Sequence, residues 1–391
     1  MTHSNNIATF PLSSSKTRIW LSQPALGADE YAALAGFFQE AGMAAMYKSA
    51  TLFEEKLASY LAQPVVALSS CTAALHLALL ALNIKPSDTV FCSSFTFVAT
   101  ANPILYVGAK PVFIDSEKET WNMCPQALET AFRTEIAAGR KPKAVILVHA
   151  YGMPAQIEEI LRLCKKYEVA LIEDAAAAIG ATYRGKPLGT WGDIGVFSFN
   201  TNKVISTGGG GALTTPNAAL ADKIRFWATQ SKDEAPHYQH SEVGYNYRMS
   251  PMAAAIGCVQ IDSLTEKVEQ RKQHFKFYKE NLITQVWQWQ PNELQEASSS
   301  RWLSSGIFIN EERLHTNIAL MQYLSQKSIE TRLLWKPLHL QPLFKDCSYY
   351  GGNIAEKLFL AGLSLPSGND IKATDLEYVI HEMSQFIETI R

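Results

Sequence analysis

Five short apolar runs constrain this chain more than any other feature: VVAL (Val65 to Leu68), VFC (Val90 to Cys92), PVFID (Pro111 to Asp115), AVILV (Ala144 to Val148) and VALIED (Val169 to Asp174). Each is too short for a helix and too continuously apolar for a strand with one wet face, so each reads as a strand buried on both sides. Amphipathic stretches separate them, such as IEEILRLCKKY (Ile157 to Tyr167), with apolar residues at i, i+3 and i+4. This alternation predicts a mostly parallel central sheet with helices on both faces, an α/β fold. The pattern runs to about Leu213 and gives way to one long helical region, Met252 to Leu282. After the polar run EASSS (Glu296 to Ser300), a second α/β pattern opens at WLSSGIFI (Trp302 to Ile309). The reading is a large unit over 1–264, including the N-terminal segment, and a smaller C-terminal α/β unit over 265–391. A chain of 391 residues suits two such units.

Composition removes several function classes. With 47% hydrophobic and 18% charged residues, the chain reads as an ordinary globular protein. A net charge of -2 offers nothing to nucleic acid or anionic lipid. No apolar run is long enough to cross a bilayer, and Met1 to Ser15 lacks the apolar stretch of a secretory leader. Six scattered cysteines without a C-x-x-C pair read as buried thiols, not as disulfides or a zinc site. The expectation is a cytoplasmic protein with no metal and neither nucleic acid nor membrane as a partner.

Open α/β sheets bind ligands at the carboxyl ends of their strands, and three polar stretches fall there. SSCTAALH (Ser69 to His76) opens a helix after a strand; its start suits a phosphate, although plain helix capping explains the serines equally well. Glu173 and Asp174 close the most apolar strand. An aspartate there can take a ribose hydroxyl, a metal, a protonated ring nitrogen, or merely cap a helix. The G-x-G-x-x-G fingerprint of a dinucleotide site is missing, and no histidine is near in sequence for a metal. Third, NTNKVISTGGGG (Asn200 to Gly211) sets Lys203 in a polar turn before four glycines. A lone turn lysine is normally just solvated. A phosphate site, an aspartate and a lysine in this order at strand ends together match pyridoxal 5'-phosphate, which needs an amine, an anion and a helix end.

SFNTNK (Ser198 to Lys203), GGGGAL (Gly208 to Leu213), EDAA (Glu173 to Ala176) and GYNYRMS (Gly244 to Ser250) together resemble the sugar-nucleotide aminotransferases of the DegT/StrS type. The resemblance extends from about Ile19 to Gly368 and implies the fold-type-I architecture of pyridoxal phosphate enzymes. Within that family, TRLLWKPLH (Thr331 to His339) and PVFIDSEKETW (Pro111 to Trp121) are most similar to enzymes that aminate C4 of UDP-linked 4-keto-6-deoxy-N-acetylhexosamines in bacillosamine-type pathways. The resemblance implies Lys203 as the catalytic amine and proton carrier, Asp174 as partner of the ring nitrogen, and Phe97 as the stacking aromatic. It also implies Thr72, the Ala73 backbone and Ser198 as phosphate ligands. Asn246 is implied to reach the phosphate of a neighbouring subunit, making a homodimer the catalytic unit. Arg248, Trp335 and His339 are implied near the donor or sugar, with ordinary packing as an open alternative for the last two. L-glutamate is the implied amino donor.

Three departures from the family pattern matter. Ala177 stands where Gln, Glu or His is usual near the cofactor, and Cys71 replaces a common glycine. MAAMYKS (Met43 to Ser49) stands where most members carry a Trp-containing substrate loop. Two alternatives remain open: a 3-keto or dTDP-linked sugar substrate, and a non-catalytic regulatory protein on the same fold. Lys203 and Asp174 together argue against the second.

Overall fold

The computed structural model describes residues 18–39, 43–282, 285–309 and 315–390. The leader expectation for Met1 to Ser15 lies outside these residues, as do the side chains of Met43 to Met46 in the departing MAAMYKS stretch.

The apolar runs become strands β1 (Val65–Leu68), β2 (Thr89–Ser93), β3 (Lys110–Ile114), β4 (Ala144–Val148) and β5 (Ala170–Asp174), followed by β6 (Ile194–Ser198) and β7 (Gly211–Thr214). With a short edge strand, Tyr349–Tyr350, they form one eight-stranded sheet in the order β1-β7-β6-β5-β4-β2-β3-edge. Only β7 is antiparallel to its neighbours; the other strands all run one way. Successive side chains along a strand point to opposite faces, and both faces are dry. Val90, Cys92, Ile146 and Ile172 pack beneath the helices Cys71–Ala81 and Ala218–Ala228. Phe91, Val145 and Leu171 pack on the other side against Phe132 and Ile160, from the helices Pro125–Ala137 and Ile157–Tyr167. Every residue of β2 and β4 is buried, as a continuously apolar strand requires.

The smaller unit carries an antiparallel sheet of β8 (Trp287–Trp289), β9 (Ser304–Phe308), β10 (Arg332–Leu333) and β11 (Gly362–Leu365), in the order β8-β9-β11-β10. Its core gathers Trp287, Phe308, Leu324 and Leu363 with Val379 and Met383 of the last helix, Ala373–Thr389.

Three features differ from the sequence reading. The long helical region is two helices, Pro251–Asp262 and Leu264–Asn281. They part at Ser263 (φ -95°, ψ 8°), whose hydroxyl donates to the Gln260 carbonyl and so competes with the backbone ladder. The polar run EASSS is built into the packed structure: Ala297–Ser298 pairs with Thr182–Tyr183, and buried Ser300 donates to the Ala177 carbonyl at 2.9 Å. The two units also share elements. The helix Leu264–Asn281 puts Leu264 and Val268 in the larger core and Phe275 and Tyr278 in the smaller. Ile19 bridges to Ile329, and the edge strand Tyr349–Tyr350 adds to β3.

Candidate active site

Because β1, β2, β4, β5 and β6 run parallel, their carboxyl ends open on one edge. A cavity of about 700 Å³ lies there, within the range of small-molecule sites. It brings together Thr72, Phe97, Asp174, Ser198, Lys203 and Trp335.

Asp174 ends β5 on the cavity floor and is buried. Its Oδ2 accepts from the Thr100 hydroxyl at 2.8 Å and its Oδ1 from the Ala176 backbone N–H at 3.1 Å. Burial pushes its pKa up, against the pull of those hydrogen bonds and of the Lys203 amine. A buried carboxylate held this way favours a protonated N–H partner in the cavity. Glu173, one residue earlier, is a clamp. It accepts from the backbone N–H groups of Gly189, Trp191 and Gly192 at 2.6–2.8 Å, and pairs with His149 Nε2 at 3.0 Å. Because His149 Nδ1 accepts from the Ala155 N–H at 3.2 Å, the ring proton sits on Nε2 and points at Glu173. The imidazole is thereby fixed under the end of β5, where the His149 backbone N–H donates to the Asp174 carbonyl.

Lys203 reaches the cavity from the turn after β6, its backbone N–H closing on the Asn200 carbonyl. Nζ lies 3.7 Å from the centroid of the Trp302 ring. Burial pushes its pKa down to about 8; Cys71 and Asp174 oppose the shift and Arg271 adds to it. A free amine near neutral pH is the nucleophilic and proton-accepting form.

Opposite lies the start of the helix Cys71–Ala81. Ser70 is its cap, accepting from the Ala73 N–H at 3.0 Å. Capping therefore belongs to Ser70, while Ser69 and Thr72 line the cavity. Ser198, at the end of β6, completes an anion-favouring corner of helix N-terminus and hydroxyls. The glycines serve close approach. A Cβ on Gly211 would stand 2.4 Å from the Cys71 backbone nitrogen, and Gly210 holds φ +140°. With Gly209, Gly210 forms cavity wall. Phe97 also lines it and is 60% exposed, a free aromatic face at the cavity.

The remaining predicted residues lie elsewhere. Ala73 is inside the helix and contributes its backbone to the cap. His339 accepts or donates at Ser94 Oγ (2.7 Å) and stacks on Tyr349 at 3.8 Å, outside the cavity lining. Arg248 lies over the Tyr47 ring at 4.3 Å and lines a separate hollow with Glu54 and Arg225. Asn246 accepts from Gln230 Nε2 and bridges to Thr229, also away from the cavity of its own chain. Of the departures, Ala177 and Cys71 both line the cavity; Ala177 offers only a methyl, and burial pushes the Cys71 thiol well up. All six cysteines are free.

Tyr151, Trp302, Glu330 and Arg332 line the cavity and were not singled out as site residues from the sequence. Tyr151 holds a left-handed backbone (φ 54°), stacks on Trp335 at 4.2 Å and accepts from the Trp335 N–H. Its place just after AVILV was a usable signal, since it follows the carboxyl end of a buried strand. Arg332 pairs with Glu330 at 2.9 Å, and Glu330 also accepts from the Leu21 N–H.

Amine, buried carboxylate, anion corner and open aromatic face fit pyridoxal phosphate in one cavity. The model of the DegT/DnrJ/EryC1/StrS aminotransferase family matches residues 25–384. The chain belongs to this family. Its members are pyridoxal-phosphate-dependent enzymes, and this one is a sugar aminotransferase. The aminotransferase EpsN of Bacillus subtilis (strain 168) is 43% identical over 95% of this chain and 97% of its own. GDP-perosamine synthase of Escherichia coli O157:H7 is 35% identical over 85% of this chain and 89% of its own. Among solved structures, a DegT DnrJ EryC1 StrS aminotransferase from Brucella abortus superposes with a TM-score of 0.83 at 31% identity, covering 92% of this chain and 95% of that one. Among the described residues, no helix is long and apolar enough to cross a membrane.

Proposed function

We propose that this DegT-family aminotransferase moves the amino group of L-glutamate to the 4-keto carbon of a UDP-linked 4-keto-6-deoxy-N-acetylhexosamine, for a glycan or surface polysaccharide. The observation that carries the aminotransfer reading is the pairing of Lys203, its amine depressed toward neutrality, with buried Asp174 in a single cavity. Bound there, pyridoxal phosphate supplies an aldehyde that captures amines and a ring that takes up electrons. The chain's own groups do the rest. The Asp174 carboxylate would hold a proton on the ring nitrogen, favouring its charged form. The helix start at Thr72, with Ser198, would hold the phosphate, and Phe97 would offer its aromatic face to the ring. Lys203 Nζ takes a proton from the donor carbon and returns it, being neutral at the start of the step. Trp302 and Tyr151 wall off water on the lysine side.

Arg332, held by Glu330 at the cavity wall, offers a guanidinium to a phosphate or carboxylate of the incoming substrate. The active unit in this reading is a homodimer, with Asn246 and Arg248 serving the neighbour's cavity. Support comes from their position outside their own cavity and from the exposed Tyr238 and Val243 on the same segment. A GDP-linked 4-keto sugar is the second reading, favoured by the 35% identity to GDP-perosamine synthase. The test is an amination assay with L-glutamate against UDP-, GDP- and dTDP-linked keto sugars. The UDP-linked 4-keto-N-acetyl sugar should react with the highest kcat/KM; a higher value for a GDP sugar would establish the second reading instead.

A further inference from the structure

A buried arginine lies behind the lysine loop, away from the cavity lining. Arg271, on the helix Leu264–Asn281, is 1% exposed. Its three nitrogens each donate to a neutral oxygen: Nε to the Asn369 amide at 2.7 Å, Nη1 to the Trp302 carbonyl at 2.5 Å, and Nη2 to the Ser22 hydroxyl at 3.1 Å. Two of these partners converge again. The Trp302 indole N–H donates to the Asn202 carbonyl at 2.6 Å, and the Ser22 hydroxyl donates to the same oxygen at 2.8 Å. That oxygen belongs to the peptide unit immediately before Lys203, and the Trp302 ring is the surface under Lys203 Nζ. One guanidinium thus grips the lysine loop through two arms, neither of which is the lysine.

The charge is the second observation. Among the described residues, no carboxylate forms an ion pair with Arg271; Asp370 is near enough only to favour its charged form. A buried cation without an ion-pair partner is costly. A neutral amide could supply donors to two of the same oxygens, so hydrogen bonding alone does not account for a guanidinium. What the charge does reach is Lys203. The titratable and charged groups facing that amine are Cys71 from the helix after β1, Asp174 from β5, and Arg271. Those facing Arg271 are Lys267 and His274 on its own helix, Asp370 from the loop before the last helix, and Lys203. Lys267 and His274 are both pushed toward their neutral forms, and neither offers a negative charge that could offset the guanidinium.

We propose that Arg271 is a positioning residue for Lys203, fixing the loop and ring on which the amine rests and favouring the uncharged amine through its unpaired positive charge. The proposal concerns the lysine alone and rests on Lys203 being the reactive amine, not on which sugar is aminated.

The test uses the full-length chain in cofactor-free buffer, trace-labelled with acetic anhydride across a pH series, with Lys203 modification read by mass spectrometry. R271Q should move the pH midpoint of Lys203 labelling upward, by an amount resolved against the wild-type series. R271K keeps the charge and should hold the wild-type midpoint. In the cofactor-loaded enzyme both should lower kcat while leaving KM for the keto sugar unchanged, because the grip on the loop is weakened in each. Folding is checked by thermal melting. If R271Q does not fold, R271K and S22A decide. S22A breaks one arm and leaves the charge, so kcat should fall at an unchanged midpoint. A wild-type midpoint in folded R271Q, or an upward-shifted one in R271K, overturns the electrostatic role; wild-type kcat in S22A overturns the positioning role. Loss of sugar amination in the wild type, with these lysine midpoints intact, would count against the proposed function and not against Arg271.

Discussion

Lys203 is expected to make the chain less stable, and replacing it should show by how much. Burial drops its pKa from 10.5 to about 8. Between those values the unfolded chain binds a proton at this position that the folded chain has released, so stability rises with pH across that window. Below about 8 the full penalty applies. A gap of roughly 2.5 pH units corresponds to about 3 kcal/mol at pH 7, falling to under about 1 kcal/mol at pH 10. Contact of Nζ with the Trp302 ring returns part of this, on the order of 1 kcal/mol. Lys203→Met keeps the alkyl stem and removes the charge. The variant, free of cofactor, should therefore melt roughly 2 to 4 °C above wild type at pH 7. That advantage should shrink to near zero by pH 10. Paired differential scanning calorimetry at the two pH values measures it, with other titrating groups common to both proteins. A variant that melts below wild type at pH 7, or a difference that does not change with pH, would refute the argument that burial penalises the charged form of this amine.

Three other substitutions test the frame around the lysine. Asp174→Asn removes the charge but not the side chain; kcat should fall at least about a hundredfold while the Tm changes little, measured by steady-state kinetics and melting. Glu173→Ala leaves three backbone N–H groups and the His149 ring without their acceptor, so stability should drop by roughly 3–5 kcal/mol, seen as a lower Tm. Gly211→Ala drives a methyl to 2.4 Å from the Cys71 nitrogen. It should displace the helix start and weaken pyridoxal phosphate binding at least about tenfold by equilibrium dialysis.

Much of the site could be read from the sequence because its chemistry sits at strand ends. VALIED announces both a buried strand and the acid that closes it, so β5 and Asp174 were legible together. Lys203 followed from the turn after β6, and Thr72 and Ser198 from their places after β1 and at the end of β6. What escaped depends on long-range closure. Trp302 and Arg271 are each brought to Lys203 by chain returning from far along the sequence, and no local pattern marks an indole that will lie beneath an amine. Tyr151 owes its place to a left-handed backbone that bulky residues seldom adopt. EASSS reads only as a polar run, yet Ser299 and Ser300 are fully buried. His339, implied near the sugar, rests against Ser94 and Tyr349 instead.

The reversed strand β7 also sets a timetable. Among the described residues β1 has no strand beside it in the sheet except β7, where Val65 faces Thr214 and Leu68 faces Gly211. During synthesis, β1 therefore waits unpaired while well over a hundred further residues leave the ribosome. At bacterial and eukaryotic translation speeds that interval is on the order of ten to thirty seconds. Throughout it a wholly apolar strand edge is open to other chains. Overexpression that outruns chaperone capacity should accordingly trap nascent chains at this stage, and slowing translation at low temperature should raise the soluble yield.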